Sequence, residues 1–176
     1  MRVDHNKAFN TVEAIAAQTD FPVFLELLQL WQASLHEKGR PLIRDDLDFL
    51  GDQDWKPHIT IVDIIRNGSD ARFRLMGRSH VEGLGRNATG ECLSSLPHCV
   101  LKASYKPVIQ HITHKASPLY LGPVPIVLSP RKSHVIEQLH LPLNILEGRP
   151  HMILSAIHLV QPMLKEEMVQ DPTEAA

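Results

Sequence analysis

Cysteine is scarce in this chain: Cys92 and Cys99 are the two that occur, and they form neither a CxxC motif nor a disulfide-rich pattern. This scarcity excludes disulfide-stapled scaffolds and suits a reducing compartment. Long apolar runs are missing as well, because no stretch reaches the roughly 18 residues that a membrane-spanning helix needs. The N-terminal residues contain no apolar segment of the secretory type, so we expect a cytoplasmic protein with no membrane span.

The chain also has no large excess of positive or negative charge. The formal net charge is −2, and the basic residues are scattered among acidic ones. Nucleic-acid binding depends largely on basic residues that neutralise phosphates, so we expect no nucleic-acid partner. What the chain does have is 43% hydrophobic residues over 176 positions, which is enough for one domain with a single core and extra terminal segments.

An amphipathic helix is predicted over residues 21–38, after a short helix over residues 11–18. Its apolar residues recur at helical spacing and form one stripe: Phe24, Leu27, Leu28, Trp31 and Leu35. Gly39 is a typical residue for the end of such a helix. Leu25 and Leu30 lie outside the stripe, so two interpretations stay open: the helix packs only on its own domain, or it also forms a dimer interface.

A first β-hairpin is predicted from strands over residues 59–65 and 71–77. Asn67-Gly68 lies between them, and this dipeptide favours a tight turn because both residues tolerate positive φ. Strict alternation of side chains then places Phe73 and Leu75 on one face of the second strand.

Two helical segments follow this hairpin. The first is predicted over residues 79–84 with its first residue as the N-cap. The second is predicted over residues 97–115, with Pro107 kinking or interrupting it. His111 and His114 share one face of the second helix, where they could ligate a metal ion, or one of them haem. Two histidines fall short of the three or four ligands of a zinc site, so an ordinary partly exposed helix face is the competing interpretation.

Three more strands are predicted towards the C-terminus, over residues 119–128, 134–143 and 151–160. The order of two strands, a helical block and three strands indicates an α+β fold with an antiparallel sheet. Alternation predicts five buried residues that wall the space between this sheet and the helices: Ile61, Phe73, Leu75, Ile153 and Ile157.

Several short motifs resemble those of one family. The matching elements run from the N-terminal helix to the last hairpin: Trp31, Pro41, Phe73-Arg74-Leu75-Met76-Gly77, Gly85, Ala88-Thr89-Gly90, Leu141-Pro142-Leu143 and Gly148. Over residues 24–160 the chain is similar to a bacterial PAS-like family of alphaproteobacterial single-domain proteins with an F-R-L-V-G…G…L-T-G type motif. It departs from the family at Arg78, where a small hydroxyl residue is usual, and at Ala88, where leucine is usual.

The resemblance implies an α+β, PAS-like five-stranded antiparallel sheet with helices on one face and an N-terminal amphipathic helix. It divides the chain into an N-terminal extension (1–20), the N-terminal helix and connector (21–57), a PAS-like core (58–161) and a C-terminal tail (162–176). The implied function is sensing or protein interaction, usually as a homodimer, with an optional ligand and a separate signalling partner. No cofactor is implied: Cys92 lies outside the Asn-Cys-Arg-Phe motif of flavin photosensors, and a haem ligand would come from the long helix.

The expected ligand site is a mostly apolar pocket between the sheet and the helices. Its predicted lining is Phe73, Met76, His80, Val81, Leu84, Tyr105 and Ile109. Two alternatives stay open: the protein's own side chains fill the same space, or the chain is a small α+β enzyme with an acid/base pair drawn from Asp63, His80 and Glu82. We assign no catalytic residue and no metal ligand from the sequence.

Overall fold

A computed structural model describes residues 8–9, 11–47, 54–130 and 132–162, and the side chains of all these except 8, 9, 161 and 162. The described helices are α1 (Val12–Ala16), α2 (Pro22–Lys38), α3 (Arg78–Leu84) and α4 (Val100–Lys115). The described strands are β1 (Ala8–Phe9), β2 (Ile59–Ile65), β3 (Asp70–Met76), β4 (Leu119–Ser129), β5 (Lys132–Leu146) and β6 (Arg149–Pro162). Most of the predicted C-terminal tail lies outside these residues.

The strands form one antiparallel sheet in the order β1-β4-β5-β6-β2-β3. The predicted α+β class is therefore confirmed, and so is the order of two strands, a helical block and three strands. The two-residue strand β1 adds a sixth strand beside β4, which the sequence analysis did not predict. The last hairpin, β5 with β6, is the longest paired region and forms the middle of the sheet.

Both faces of the sheet are covered. The face under α3 and α4, here called the α3/α4 face, is packed by residues that include Val62, Phe73, Leu84, Tyr105, Ile109, Ile153 and Ile157. The opposite face, the α2 face, is packed by residues that include Phe24, Leu28, Trp31, Leu139, Leu141 and Leu154. Side chains alternate between the faces of a strand, so strands covered on both sides are apolar at nearly every position.

Helix α2 packs on the sheet of its own chain. The predicted stripe is confirmed for its first four residues, which are buried, whereas Leu35 near the end of the helix is 37% exposed. The indole N–H of Trp31 donates a hydrogen bond to the Pro142 carbonyl at 2.9 Å, which fixes the helix to β5. Gly39 ends the helix in the left-handed conformation with φ of 60°. Leu25 and Leu30 are half-buried.

The prediction that Leu75 is buried in the core is wrong, because a β-bulge interrupts the alternation of β3. Phe73 pairs with Val62 and Leu75 with Ile61, so Arg74 is an extra residue on β3. The bulge turns Leu75 to the α2 face, where it is 49% exposed, and returns Met76 to the α3/α4 face. Ile61 is buried but packs on the α2 face rather than against α3 and α4.

The remaining predicted core residues, Phe73, Ile153 and Ile157, are buried on the α3/α4 face as expected. Phe73 precedes the bulge on β3, and Ile153 and Ile157 lie on β6, where they keep the predicted alternation. The registers there pair Ile153 with Val62 and Ile157 with Gln138.

The connection from β3 to α3 depends on a close approach at Gly77. A Cβ at this position would lie 2.5 Å from the carbonyl oxygens of Pro57 and Ile59, so a side chain does not fit. Helix α3 starts directly after Gly77, without a side-chain cap, and the predicted N-cap role of Ser79 is wrong. The Ser79 hydroxyl instead contacts His58 Nδ1 at 3.1 Å, which joins α3 to the start of β2.

Helix α4 is continuous through Pro107, so the predicted interruption is wrong. A proline inside a helix removes the hydrogen bond to the carbonyl four residues earlier. That residue is Ala103, which is exposed, so water can satisfy its carbonyl. The helix begins at Val100, three residues later than predicted.

The bulge predicts losses of stability of very different size at two positions of β3. Phe73→Ala should lower the free energy of unfolding by about 3–5 kcal/mol, because it empties a fully buried position. Leu75→Ala should lower it by less than about 1 kcal/mol, because this side chain is half exposed. Urea denaturation measures the free energy of unfolding of both variants. If Leu75→Ala lost as much stability as Phe73→Ala, Leu75 could not be the partly exposed residue on the α2 face.

Candidate functional site

The structure brings the seven predicted site residues together on the α3/α4 face. Val81 is half-buried, and the other six are buried at exposures of 8% or less: Phe73, Met76, His80, Leu84, Tyr105 and Ile109. The ring of Tyr105 lies at their centre, with its centroid 5.0 Å from that of Phe73 and 6.5 Å from that of His80. This arrangement defines the candidate site, while ligand binding there stays a prediction.

The site is more polar than the sequence analysis predicted. We call the following group the buried polar cluster: Thr60, His80, Tyr105, Gln138, His140 and Ser155. Four of them come from β2, β5 and β6, and each has an exposure of 2% or less. Alternation along β5 does place Gln138 and His140 on the face of Ile136, which is the one signal in the sequence that could have identified them.

His140 is the fully paired member of the cluster. Its Nδ1 lies 2.8 Å from the Ser155 hydroxyl, and its Nε2 lies 3.1 Å from Gln138 Oε1. This pattern fits a neutral ring that donates from Nε2 and accepts from Ser155. Complete burial lowers the pKa of His140 to about 3, so the ring stays neutral at physiological pH.

His80 is as deeply buried as His140 but is not paired. Neither of its ring nitrogens has a hydrogen-bond partner among the described residues, although the backbone of His58 lies close by. Burial, followed by the nearby His140, lowers the pKa of His80 well below its usual value. A neutral imidazole has one N–H to donate and one nitrogen that accepts, and neither makes a hydrogen bond of good geometry with a described residue here.

The Tyr105 hydroxyl is also open. It is fully buried without a hydrogen bond of good geometry, with the hydroxyls of Ser155 and Thr60 near it. Burial raises the pKa of Tyr105, so the hydroxyl keeps its proton. The ring of Tyr105 stands between the two histidines, 5.7 Å from His140 by centroid distance.

The cluster can therefore bind a neutral polar group but not an ion. The two nitrogens of His80 and the oxygen of Tyr105 make no hydrogen bond of good geometry with a described residue, and the nearest polar groups are the His58 backbone and the hydroxyls of Ser155 and Thr60. An unpaired buried donor or acceptor costs about 1–3 kcal/mol, so native proteins usually satisfy such atoms with protein, water or ligand groups. A charged ligand would lose its hydration without gaining a counter-ion from these neutral side chains.

The three acid/base candidates are not brought together. His80 is buried on the α3/α4 face, and Glu82 on the same helix is exposed to solvent. Asp63 is ion-paired with Arg74 beside the α2 face. General acid/base catalysis requires its groups within hydrogen-bond reach of one substrate, and these three residues do not share a site.

The two histidines of α4 have ordinary local contacts. His111 is half-buried, its Nε2 lies 3.2 Å from the Ser117 hydroxyl, and burial lowers its pKa. His114 is exposed, and its Nδ1 lies 2.7 Å from the Gln110 carbonyl. Within the described part of the chain, no three His, Cys, Asp or Glu residues stand close enough together to hold a metal ion.

A second polar network lies on the opposite side of β5. The Glu137 carboxylate accepts hydrogen bonds from the Tyr120 hydroxyl at 2.8 Å and from Thr19 at 3.5 Å, and it pairs with His158 Nδ1 at 3.0 Å. The Phe21 ring stacks on His158 with a centroid distance of 4.0 Å. This network connects the segment before α2 to the sheet.

Among solved structures, the PAS domain from Bordetella pertussis BvgS is similar to this chain, with 14% sequence identity and a TM-score of 0.46. The match covers 71% of this chain and 92% of that one. No family model and no curated protein matches the chain. An identity and a TM-score this low do not assign the fold, which follows instead from the strand order and helix placement described above. None of the described helices is long and apolar enough to cross a membrane.

Stability should fall in mild acid because of the buried histidines. In the unfolded chain a histidine takes up a proton near pH 6.5, whereas folded His140 resists until about pH 3. The folded state therefore loses stability as the pH falls below about 6.5, by up to about 1.4 kcal/mol per pH unit for each such histidine.

Urea denaturation from about pH 7.5 to about pH 4.5 measures this loss. His140→Gln should be less stable at neutral pH but should show a shallower decline. The control is His151→Gln, because His151 is an exposed histidine of β6. Equal slopes for wild type and His140→Gln would contradict a neutral buried imidazole.

Proposed function

We propose that this protein is a PAS-like sensory or interaction domain that binds a small neutral molecule on the α3/α4 face and signals to a separate partner protein. The ligand site comprises the seven residues predicted from the sequence: Phe73, Met76, His80, Val81, Leu84, Tyr105 and Ile109. The observation that carries the proposal is the set of unpaired buried atoms on His80 and Tyr105.

The ligand chemistry follows from the groups that would meet it. Open atoms on His80 offer one donor and one acceptor, and Tyr105 offers a hydroxyl. The neighbouring side chains Phe73, Leu84 and Ile109 are apolar. A small neutral molecule with an amide, carbonyl or hydroxyl group on an apolar body satisfies both sets of contacts.

Strand β5 offers a physical route from this site to α2. Gln138 and His140 belong to the buried polar cluster. Glu137 and Leu139 of the same strand lie on the opposite side of the sheet. The Pro142 carbonyl of the same strand accepts the hydrogen bond from Trp31 of α2. A ligand that shifts His140 would therefore also shift the strand on which α2 is docked.

Two tyrosine variants test the ligand site. Tyr105→Phe removes an unpaired hydroxyl, so the ligand-free protein should lose little or no stability. Tyr120→Phe, the matched control, removes the hydrogen bond to Glu137 and should cost about 1–3 kcal/mol. Neutral aromatic amides and alcohols should raise the melting temperature of the wild type. Tyr105→Phe should abolish this rise.

Native mass spectrometry of freshly purified wild type and Tyr105→Phe gives a second measurement. A small molecule retained by the wild type and lost from the variant would support the proposal. If the wild type retains nothing and no probe compound raises its melting temperature, the site is filled by the protein's own side chains.

We also infer a homodimer formed through α2. The inner side of α2 is occupied by its own sheet. Leu25 and Leu30 are half-buried, and Leu30 packs partly against the core of the α2 face, so both keep some apolar surface in contact with solvent. Partly exposed leucines of this kind commonly mark an interface, and closed two-fold dimers are the most frequent outcome.

Light scattering tests the dimer. Leu25→Glu or Leu30→Glu should shift the protein towards monomer, because each would bury an unpaired charge in the interface. Gln29→Glu on the exposed side of α2 is the matched charge control and should leave the dimer intact. A wild type that is monomeric at tens of micromolar would overturn the inference.

A further inference from the structure

An open groove of about 850 Å³ lies on the α2 face of the sheet, at the edge formed by β3. It lies across the sheet from the buried polar cluster, although its lining includes Met76, which also belongs to the predicted ligand site. Its walls come from the segment that follows α2, the turn before β2, and β2 and β3 themselves. The bulge at Arg74 helps to create it by turning Leu75 outward.

The floor of the groove is apolar. It is formed by four aliphatic side chains: Leu47, Ile59, Ile61 and Leu75. Leu75 is 49% exposed, whereas Ile59 and Ile61 are buried and present only a small part of their surface. An apolar surface of this kind favours the hydrocarbon part of a ligand.

The rim of the groove is cationic. Four basic side chains line it: Arg44, Lys56, Arg74 and Arg78. Arg74 is ion-paired with Asp63, while the other three are exposed and have no ion pair with any described residue. None of the described lining residues is acidic. This concentration of positive charge contrasts with the net charge of −2 for the whole chain.

We propose that this groove binds a single-chain anionic amphiphile, a fatty-acid carboxylate, with its hydrocarbon chain on the aliphatic floor and its head group at the basic rim. The volume lies within the roughly 300–1,000 Å³ typical of small-molecule sites. A folded protein partner would instead need a broad contact of about 800 Å² on each side. Arg44, Lys56 and Arg78, which form no ion pair with a described residue, supply the charge that the carboxylate requires, and the exposed leucine supplies the apolar contact.

A dansyl-labelled undecanoate is the probe, because its fluorescence rises when the label leaves water. The wild-type protein should bind it saturably below the concentration at which micelles form. Dodecanoate should displace the probe, whereas methyl dodecanoate, which has the same chain but no charge, should displace it at least about tenfold less well. Added salt should weaken the binding of the acid, because the rim cations are exposed to solvent.

Matched variants locate the site. Lys56→Glu with Arg78→Glu should weaken probe binding at least about tenfold, since two attractive charges become repulsive. The charge control is Lys106→Glu on the exposed side of α4. Leu75→Asp should weaken binding similarly, with Val127→Asp as its control, because Val127 is 55% exposed on β4. Far-ultraviolet circular dichroism confirms that each variant folds.

Four results would overturn the proposal. The first is a wild type that binds no probe saturably. The second is a groove variant that binds as tightly as its control. The third is a wild type that is dimeric by light scattering and becomes monomeric in Leu75→Asp, because the groove would then receive a second copy of the chain. Probe binding lost in Tyr105→Phe but kept in the groove variants would likewise overturn it, since the probe would then occupy the buried site.

Discussion

The burial of β5 on both faces is the constraint on which the rest of the structure depends. Its odd-numbered residues Leu139 and Leu141 pack under α2, and its even-numbered residue His140 packs under α4. A strand without a solvent face must either be apolar or pair every polar side chain. The helices are therefore needed on both sides of the sheet, and α2 is part of the fold core instead of an appended segment.

Sequence patterns predicted the positions of the helices and strands well. They predicted less well on which face of the sheet a side chain lies. The strands, the two hairpins and the stripe of α2 follow from periodicity and from turn residues such as Asn67-Gly68. The orientation of Leu75 was not predictable in this way, because one extra residue at Arg74 reverses every following side chain and leaves no mark in the apolar pattern. Ser79 does not cap α3 because the helix begins one residue earlier, at Arg78, with Gly77 at the N-cap position.

The candidate site was predictable in its apolar part and not in its polar part. Phe73, Leu84 and Tyr105 meet because each belongs to an apolar face that the fold turns inward. Thr60 and Ser155 are different, because small hydroxyl residues are common in strands and their burial beside Tyr105 depends on the pairing of β2 with β6. Whether a buried polar atom is paired is a property of tertiary geometry, so the open atoms of His80 had no signal in the sequence.

The Glu137 network and the buried polar cluster lie on opposite sides of β5 and differ in how completely their polar atoms are hydrogen-bonded. On the α2 face, the Glu137 carboxylate has three partners: the Tyr120 hydroxyl, the Thr19 hydroxyl and His158 Nδ1. On the α3/α4 face, His140 is paired but His80 and Tyr105 are not. A fully paired network already has a structural reason to exist, whereas unpaired atoms raise the energy of the folded state unless another molecule completes them. The proposed ligand site therefore lies beside His80 and Tyr105, whereas the Glu137 network has a structural reason in connecting the segment before α2 to the sheet.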